Sequence, residues 1–163
     1  MMRTRVSRNR IRIGFIGLLI FFLTACGLQV PVDPHGTLDR VRGGVMRVGV
    51  TENRPWVKVD AAEEPSGIEP ALISGFADQL DSDIEWTTGS EAVLLEELDQ
   101  GELDIVVGGF LDDTPWIEKG AITVPYREQR TSSSREKHVM IVRMGENGFL
   151  LALEKFLLEK VGT

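Results

Sequence analysis

From residue 46 onward the apolar positions change spacing in a regular order. Met46, Val48 and Val50 alternate with other residues at the period of a strand with one buried face. Leu72, Ile73, Phe76 and Leu80 then recur at helical spacing, with Pro70 where the first helical residue is expected and Asp81-Ser82-Asp83 as the break. Ile84 to Thr87 reads as a short strand. Thr88 and Glu91 stand at capping-box spacing before Leu94, Leu95 and Leu98, and Gly101 closes that helix. Asp104 to Gly109 reads as a buried strand ending in a glycine turn, Thr114-Pro115 as the start of a short helix, and Ala121 to Val124 as a strand before Pro125-Tyr126. Arg127 to Lys137 is polar and serine-rich and reads as an exposed loop. His138 to Arg143 is predicted as a strand, and Asn147 as the cap of a last helix running to about Lys160. On that helix Phe149, Leu150, Leu153, Phe156 and Leu157 gather on one arc, whereas Leu151 and Leu158 fall opposite. Those two leucines either form an exposed stripe or lie under the tether or the turn at Leu38 to Arg42.

The alternation of strands and helices predicts an α/β domain with a mostly parallel five-stranded sheet flanked by helices. The chain ahead of it has a different character. Arg3, Arg5, Arg8, Arg10 and Arg12 precede an apolar run from Ile13 to Leu23, too short to span a membrane as a stable helix, so residues 1–25 read as a signal peptide. Leu23-Thr24-Ala25-Cys26 resembles the bacterial lipobox, which makes Cys26 an acceptor for acyl chains and membrane lipid a partner. The competing reading is a plain secreted protein. Residues 26–37 contain Pro31 and Pro34 without apolar periodicity and read as anchor and tether, leaving residues 38–163 as one domain. Cys26 is the only cysteine, so packing alone must hold that domain.

The predicted leader holds five of the 18 basic residues and none of the 25 acidic ones, so the remainder carries a net charge of about −12. Nucleic acid is excluded as a partner on that ground. His35 and His138 stand far apart, so neither metal nor other cofactor is expected.

The series Met46-Arg47-Val48-Gly49-Val50, Pro55-Trp56, Gly67-Ile68-Glu69, Gly101 to Gly109, Thr114-Pro115 and Pro125-Tyr126 resembles solute-binding protein family 3. The resemblance implies one lobe of a type II periplasmic-binding-protein-like fold. In that family the chain leaves the first lobe after the Pro-Tyr segment, builds a second lobe and returns. Here about eleven polar residues separate Tyr126 from the His138 strand, so the second lobe is expected to be missing. The returning strand can still run antiparallel beside the strand before the exit, which needs only a short connection.

Ligands of doubly wound sheets meet the loops at the carboxyl ends of the strands. The candidate ligand-binding residues there are Arg54, Pro55, Trp56, Glu69, Gly108, Gly109, Phe110 and Thr114. Trp56 either supplies a flat wall for a solute or packs over the end of the sheet. Gly108-Gly109 either lets a ligand approach the backbone or forms a plain tight turn. Glu69 either favours the positive end of its helix or contacts ligand. The resemblance further implies an arginine three residues after the threonine of the Thr-Pro segment, gripping a substrate carboxylate; this chain has Ile117, and an isoleucine donates no hydrogen bond. Asp112 and Asp113 offer carboxylates, but no nucleophile-base set accompanies them, so no enzyme is expected.

These readings describe a lipoprotein on the extracytoplasmic, periplasmic side of the membrane, acting as the solute-binding component of an ABC transport system. Its expected partners are a small polar solute and an ABC permease or other envelope protein. The alternative is a degenerate single-lobe module that binds an envelope protein rather than a small solute.

Overall fold

Val45–Val50 forms strand β1 and presents Met46, Val48 and Val50 to one face of a sheet, all fully buried. In the computed structural model, residues 33–60, 63–131 and 134–162 are described; the leader, Cys26 and the tether up to residue 32 lie outside them. Helix α1 (Thr37–Val41) precedes β1. Then follow α2 (Ile68–Leu80), β2 (Asp83–Thr88), α3 (Glu91–Gln100), β3 (Ile105–Leu111) and a single 3₁₀ turn over Pro115–Glu118. Strands β4 (Ala121–Ile122), β5 (Arg127–Arg130) and β6 (Arg135–Val142) lead into α4 (Asn147–Val161).

The sheet runs β2-β1-β3-β6-β4, with β5 also paired to β6. β1 lies parallel to β2 and β3, and β6 runs antiparallel to β3, β4 and β5. The α/β lobe with a parallel core is therefore as expected, and β6 returns antiparallel beside β4. Only the hairpin at residues 127–134 lies between Tyr126 and β6, which leaves no chain for a second lobe there.

Both faces of β3 are covered, as a central strand requires. Ile105 and Val107 join Met46, Val48, Phe76, Met140, Phe149 and Phe156 under α2 and α4, whereas Val106 joins Leu94, Leu95, Leu98, Val139 and Ile141 under α3.

Several boundaries differ from the sequence expectation: β3 runs on through Gly108-Gly109 to Leu111, β4 stops at Ile122 and β6 starts at Arg135. The exposed loop at Arg127 to Lys137 is a β-hairpin, so the sheet has six strands rather than five. All four residues of β5 are exposed, so no apolar alternation marks it. Thr88 ends β2 instead of capping α3, which begins at Glu91 after Ser90 without a side-chain cap. Helix α2 starts two residues before Pro70, because the Ile68 and Glu69 amides donate to the carbonyls of Pro55 and Trp56. Asn147 opens α4, but its side chain is not the cap: Asp33 Oδ1 accepts from the Gly148 and Phe149 amides at 2.6 and 3.1 Å.

That bond has a counterpart. Glu146, at the foot of α4, accepts from the amides of His35 and Thr37 at 3.1 and 3.0 Å, capping α1. The residues just before α1, expected to be tether, are thus clasped to the last helix, and Thr37 is buried. At the same end of the sheet the buried carboxylate of Asp104 binds Arg40 and the Arg47 guanidinium and amide.

Candidate functional site

Towards the opposite end, the loop after β1 closes against a bulge in β3. Asn53 and Val57 exchange backbone hydrogen bonds of 3.0 and 2.9 Å, which fold Arg54, Pro55 and Trp56 into a compact loop after β1. The Asn53 side chain donates to the Gly108 carbonyl at 2.7 Å and ties that loop to β3. The pairing of β3 with β6 is broken by a bulge between Val106 and Phe110, and Gly108-Gly109 sit in it. Gly109 has φ +68°, and a Cβ there would stand 2.5 Å from Cδ1 of Trp56. Only glycine fits, and what approaches its backbone is the indole of Trp56.

Trp56 is 6% exposed. The ring of His138 stacks on it with centroids 3.7 Å apart, Tyr126 meets it edge-on at 6.4 Å, and the Arg127 guanidinium lies 5.9 Å from its centroid. Trp56 therefore packs over the end of the sheet. The place at the carboxyl ends of the strands where a solute is expected holds the protein's own side chain.

Glu69 is fully buried beneath this layer. Its Oε2 accepts from the Gly109 amide at 2.8 Å and its Oε1 from the Tyr126 hydroxyl at 2.6 Å. It neither caps α2 with its side chain nor faces solvent. Burial pushes its pKa up to about 7, against the opposing effect of the Tyr126 and Gly109 donors. Burial, together with the Glu69 carboxylate, raises the Tyr126 hydroxyl far above its ordinary range. His138 is 3% exposed, neither ring nitrogen has a hydrogen-bond partner among the described residues, and burial lowers its pKa. It sits there as a neutral ring against the indole.

Residues 46–160 match the family model of bacterial extracellular solute-binding proteins, family 3. The chain belongs to that family. Over 110 residues it is 33% identical to membrane-bound lytic murein transglycosylase F of Alteromonas mediterranea, a match that covers 66% of this chain and 23% of that protein. The protein of the same description from Vibrio cholerae is 33% identical over 101 residues, or 61% of this chain and 18% of its own length. The matches thus span about a fifth of the length of these relatives. Among solved structures, the arginine-bound form of domain 1 from TmArgBP superposes with a TM-score of 0.64 at 21% identity, covering 74% of this chain and 97% of that one. The ancestral amino acid-binding protein AncCDT-1 superposes with a TM-score of 0.66 at 15% identity, covering 78% and 95%.

Within this family 3 lobe the remaining candidate residues scatter. Arg54 is exposed and paired with Glu52 at 3.1 Å and Asp60 at 3.9 Å, away from the floor. The Pro55 carbonyl is taken by the Ile68 amide. Phe110 is buried in the apolar cluster under α3. Thr114 Oγ1 accepts from the Trp116 amide at 3.5 Å and opens the 3₁₀ turn, while Ile117, at the clamp position, is 54% exposed. Trp56, Glu69, Gly108 and Gly109 are the four candidates that the fold brings together.

Sequence reasoning missed the parts played by Tyr126 and His138. Tyr126 was marked only by its place after Pro125, and nothing local signals that its hydroxyl reaches a carboxylate on α2. His138 opens an apolar run, which signals burial but not a tryptophan beneath it. Among the described residues no group of acidic, His or Cys side chains is placed to hold a metal, and no helix is long and apolar enough to cross a membrane.

Proposed function

We propose that this chain is an extracytoplasmic lipoprotein anchored through Cys26, whose single family 3 lobe acts as a binding module for an envelope protein rather than as a receptor for free amino acids. One observation carries this reading: Trp56 occupies the approach to Gly109 and is locked there by His138, while the clamp position holds an exposed isoleucine. A carboxylate entering from solvent meets neither a free amide nor a guanidinium. The lobe is also not expected to catalyse, because Glu69 is fully engaged and Asp112 and Asp113 are exposed on a turn. Kinship to part of a membrane-bound murein transglycosylase is in keeping with work at the envelope.

A second reading, the solute-binding component of an ABC importer, is favoured by the solved arginine-bound form of an isolated domain 1 in TmArgBP, since one domain of this fold holds a solute there. Calorimetry against a panel of amino acids separates the two. The module reading expects no binding tighter than roughly millimolar, about 4 kcal/mol. A micromolar solute for the unaltered protein would overturn it in favour of the receptor. For the anchor, Cys26→Ser is expected to abolish acylation and membrane partition, and unchanged mass and partition would refute lipidation.

A further inference from the structure

The face of α4 turned away from the sheet carries Leu151 and Leu158, 61% and 45% exposed. Seven residues apart, they lie on one stripe. Glu154 and Lys155 stand between them and complete the i, i+3, i+4, i+7 diamond that receives a knob in helix-to-helix packing. In this protein the diamond is a shallow depression of about 410 Å³ with Glu159 on its rim. Glu154 is drawn to one side, where its Oε1 accepts from the Val124 amide at 2.7 Å. Lys155 and Glu159 line the other side, 3.9 Å apart and both exposed.

We propose that this surface docks a second copy of the chain, with the two α4 helices antiparallel. Such a hole takes one leucine from a facing helix, and α4 presents Leu158 as a knob beside its own hole. Seating the Leu158 of a second copy midway between Glu154 and Lys155 places the two-fold axis near residue 156. On an antiparallel pair related by that axis, residues on one flank of the first helix meet the same flank of the second. At 1.5 Å rise per residue, Lys155 of each copy then lies within about 2 Å, along the helix, of Glu159 of the other. One register thus fills both holes and forms two reciprocal ion pairs. Using Leu151 as the knob moves the axis about one turn and leaves Lys155 opposite residue 150 or 151, with no acidic partner. A parallel pair would set Lys155 against Glu154, whose carboxylate is already held by Val124.

The test is sedimentation velocity on the full chain in a non-ionic detergent over a concentration series, with near-ultraviolet circular dichroism to verify the fold of each variant. Unaltered protein is expected to shift reversibly from monomer to dimer. Leu158→Lys is expected to weaken the dimer at least tenfold. Lys155→Glu and Glu159→Lys should each do the same, because either leaves like charges facing twice, and the double exchange should restore association to within about threefold. A chain that stays monomeric at every concentration overturns the proposal. So does association that ignores Leu158, as when the leader alone drives it. Insensitivity to Glu159→Lys alone, or a double exchange that fails to rescue, rejects the antiparallel register and with it the proposal.

Discussion

The Tyr126 hydroxyl donates to Oε1 of Glu69 at 2.6 Å, across a sequence separation of 57 residues. Because the other oxygen of the same carboxylate holds the Gly109 amide, one side chain on α2 fixes the bulge in β3 and the segment that leads into the hairpin. Glu69 is thus a cross-link at the centre of the floor.

A cross-link with a raised pKa leaves a signature in stability. Glu69 is ordinarily half-protonated near pH 4.5 and reaches about 7 in the folded protein. Between those values the folded state binds more protons than the unfolded one, so the contribution of Glu69 to stability falls as pH rises, by about 3 kcal/mol in total. Denaturant titrations at pH 5 and pH 8 are expected to show this fall relative to Glu69→Gln, which lacks the titration. The comparison must be made between the two proteins, because His138, with its lowered pKa, loses stability in the opposite direction as pH falls below 6.5. A pH-independent difference between the two proteins would contradict the assignment.

The clasp responds to acid instead. Burial alone would raise Glu146, but hydrogen bonds from Thr37 and His35 overcome it and hold the pKa at about 2, against an ordinary 4.5. The stability this provides is complete above pH 4.5 and is lost as pH falls towards 2, about 3 kcal/mol in all. Glu146→Ala should abolish that acid-dependent loss and cost roughly 2 kcal/mol at pH 6, where the amides of α1 lose their acceptor. Equal acid sensitivity in both proteins would refute the clasp.

Asp104 lies in the segment that carries the family resemblance, yet it works at the end of the sheet remote from the floor. It binds Arg40 and Arg47, which are partly exposed and can be rehydrated when it is removed. Asp104→Asn should therefore lower stability by about 2 kcal/mol, as for the loss of charged hydrogen bonds. Near-ultraviolet circular dichroism from the aromatic cluster at Trp56 should not change.

Gly109 and Trp56 should behave as a coupled pair. Gly109→Ala meets both a left-handed φ and the indole, and is expected to cost about 2 kcal/mol or more. In a Trp56→Ala background the indole's share of the steric cost disappears, while Asn53 Nδ2, 2.8 Å from the Cβ position, still presses on it. A double-mutant cycle should then return a coupling of about 1 kcal/mol. Additive effects would mean that the indole does not press on Gly109.

Most of the scaffold was legible in the sequence because each central element carries its own period. β1, α2, α3 and α4 bury apolar residues at spacings that identify the element and its inward face, and the exposed pair Leu151 and Leu158 could be separated from the core by helical angle alone. β5 was not legible. Arg127 to Arg130 pair with β6 through the backbone and one exposed ion pair, Glu128 with Arg135 at 3.5 Å, and neither leaves an apolar alternation in the sequence. The floor was half legible: the order of strands places Trp56, Gly108 and Gly109 at one end, but whether Trp56 lines a space or fills it depends on the His138 ring, which arrives from β6. The role of Glu69 was hidden for the same reason, since both of its donors come from distant strands and turns.

Under the buried indole, the bulge of β3 has a left-handed glycine, and the Glu69 cross-link holds it in place. The exclusion resides in side chains: the indole, the imidazole stacked on it and the Glu69 carboxylate that takes the Gly109 amide. In evolutionary terms an open floor takes more than one exchange, because a smaller residue at position 56 still leaves the Gly109 amide on Glu69 and an isoleucine at position 117. A lineage could gain or lose small-molecule recognition here without refolding, and descendants with a smaller residue at position 56 would reveal which state came first.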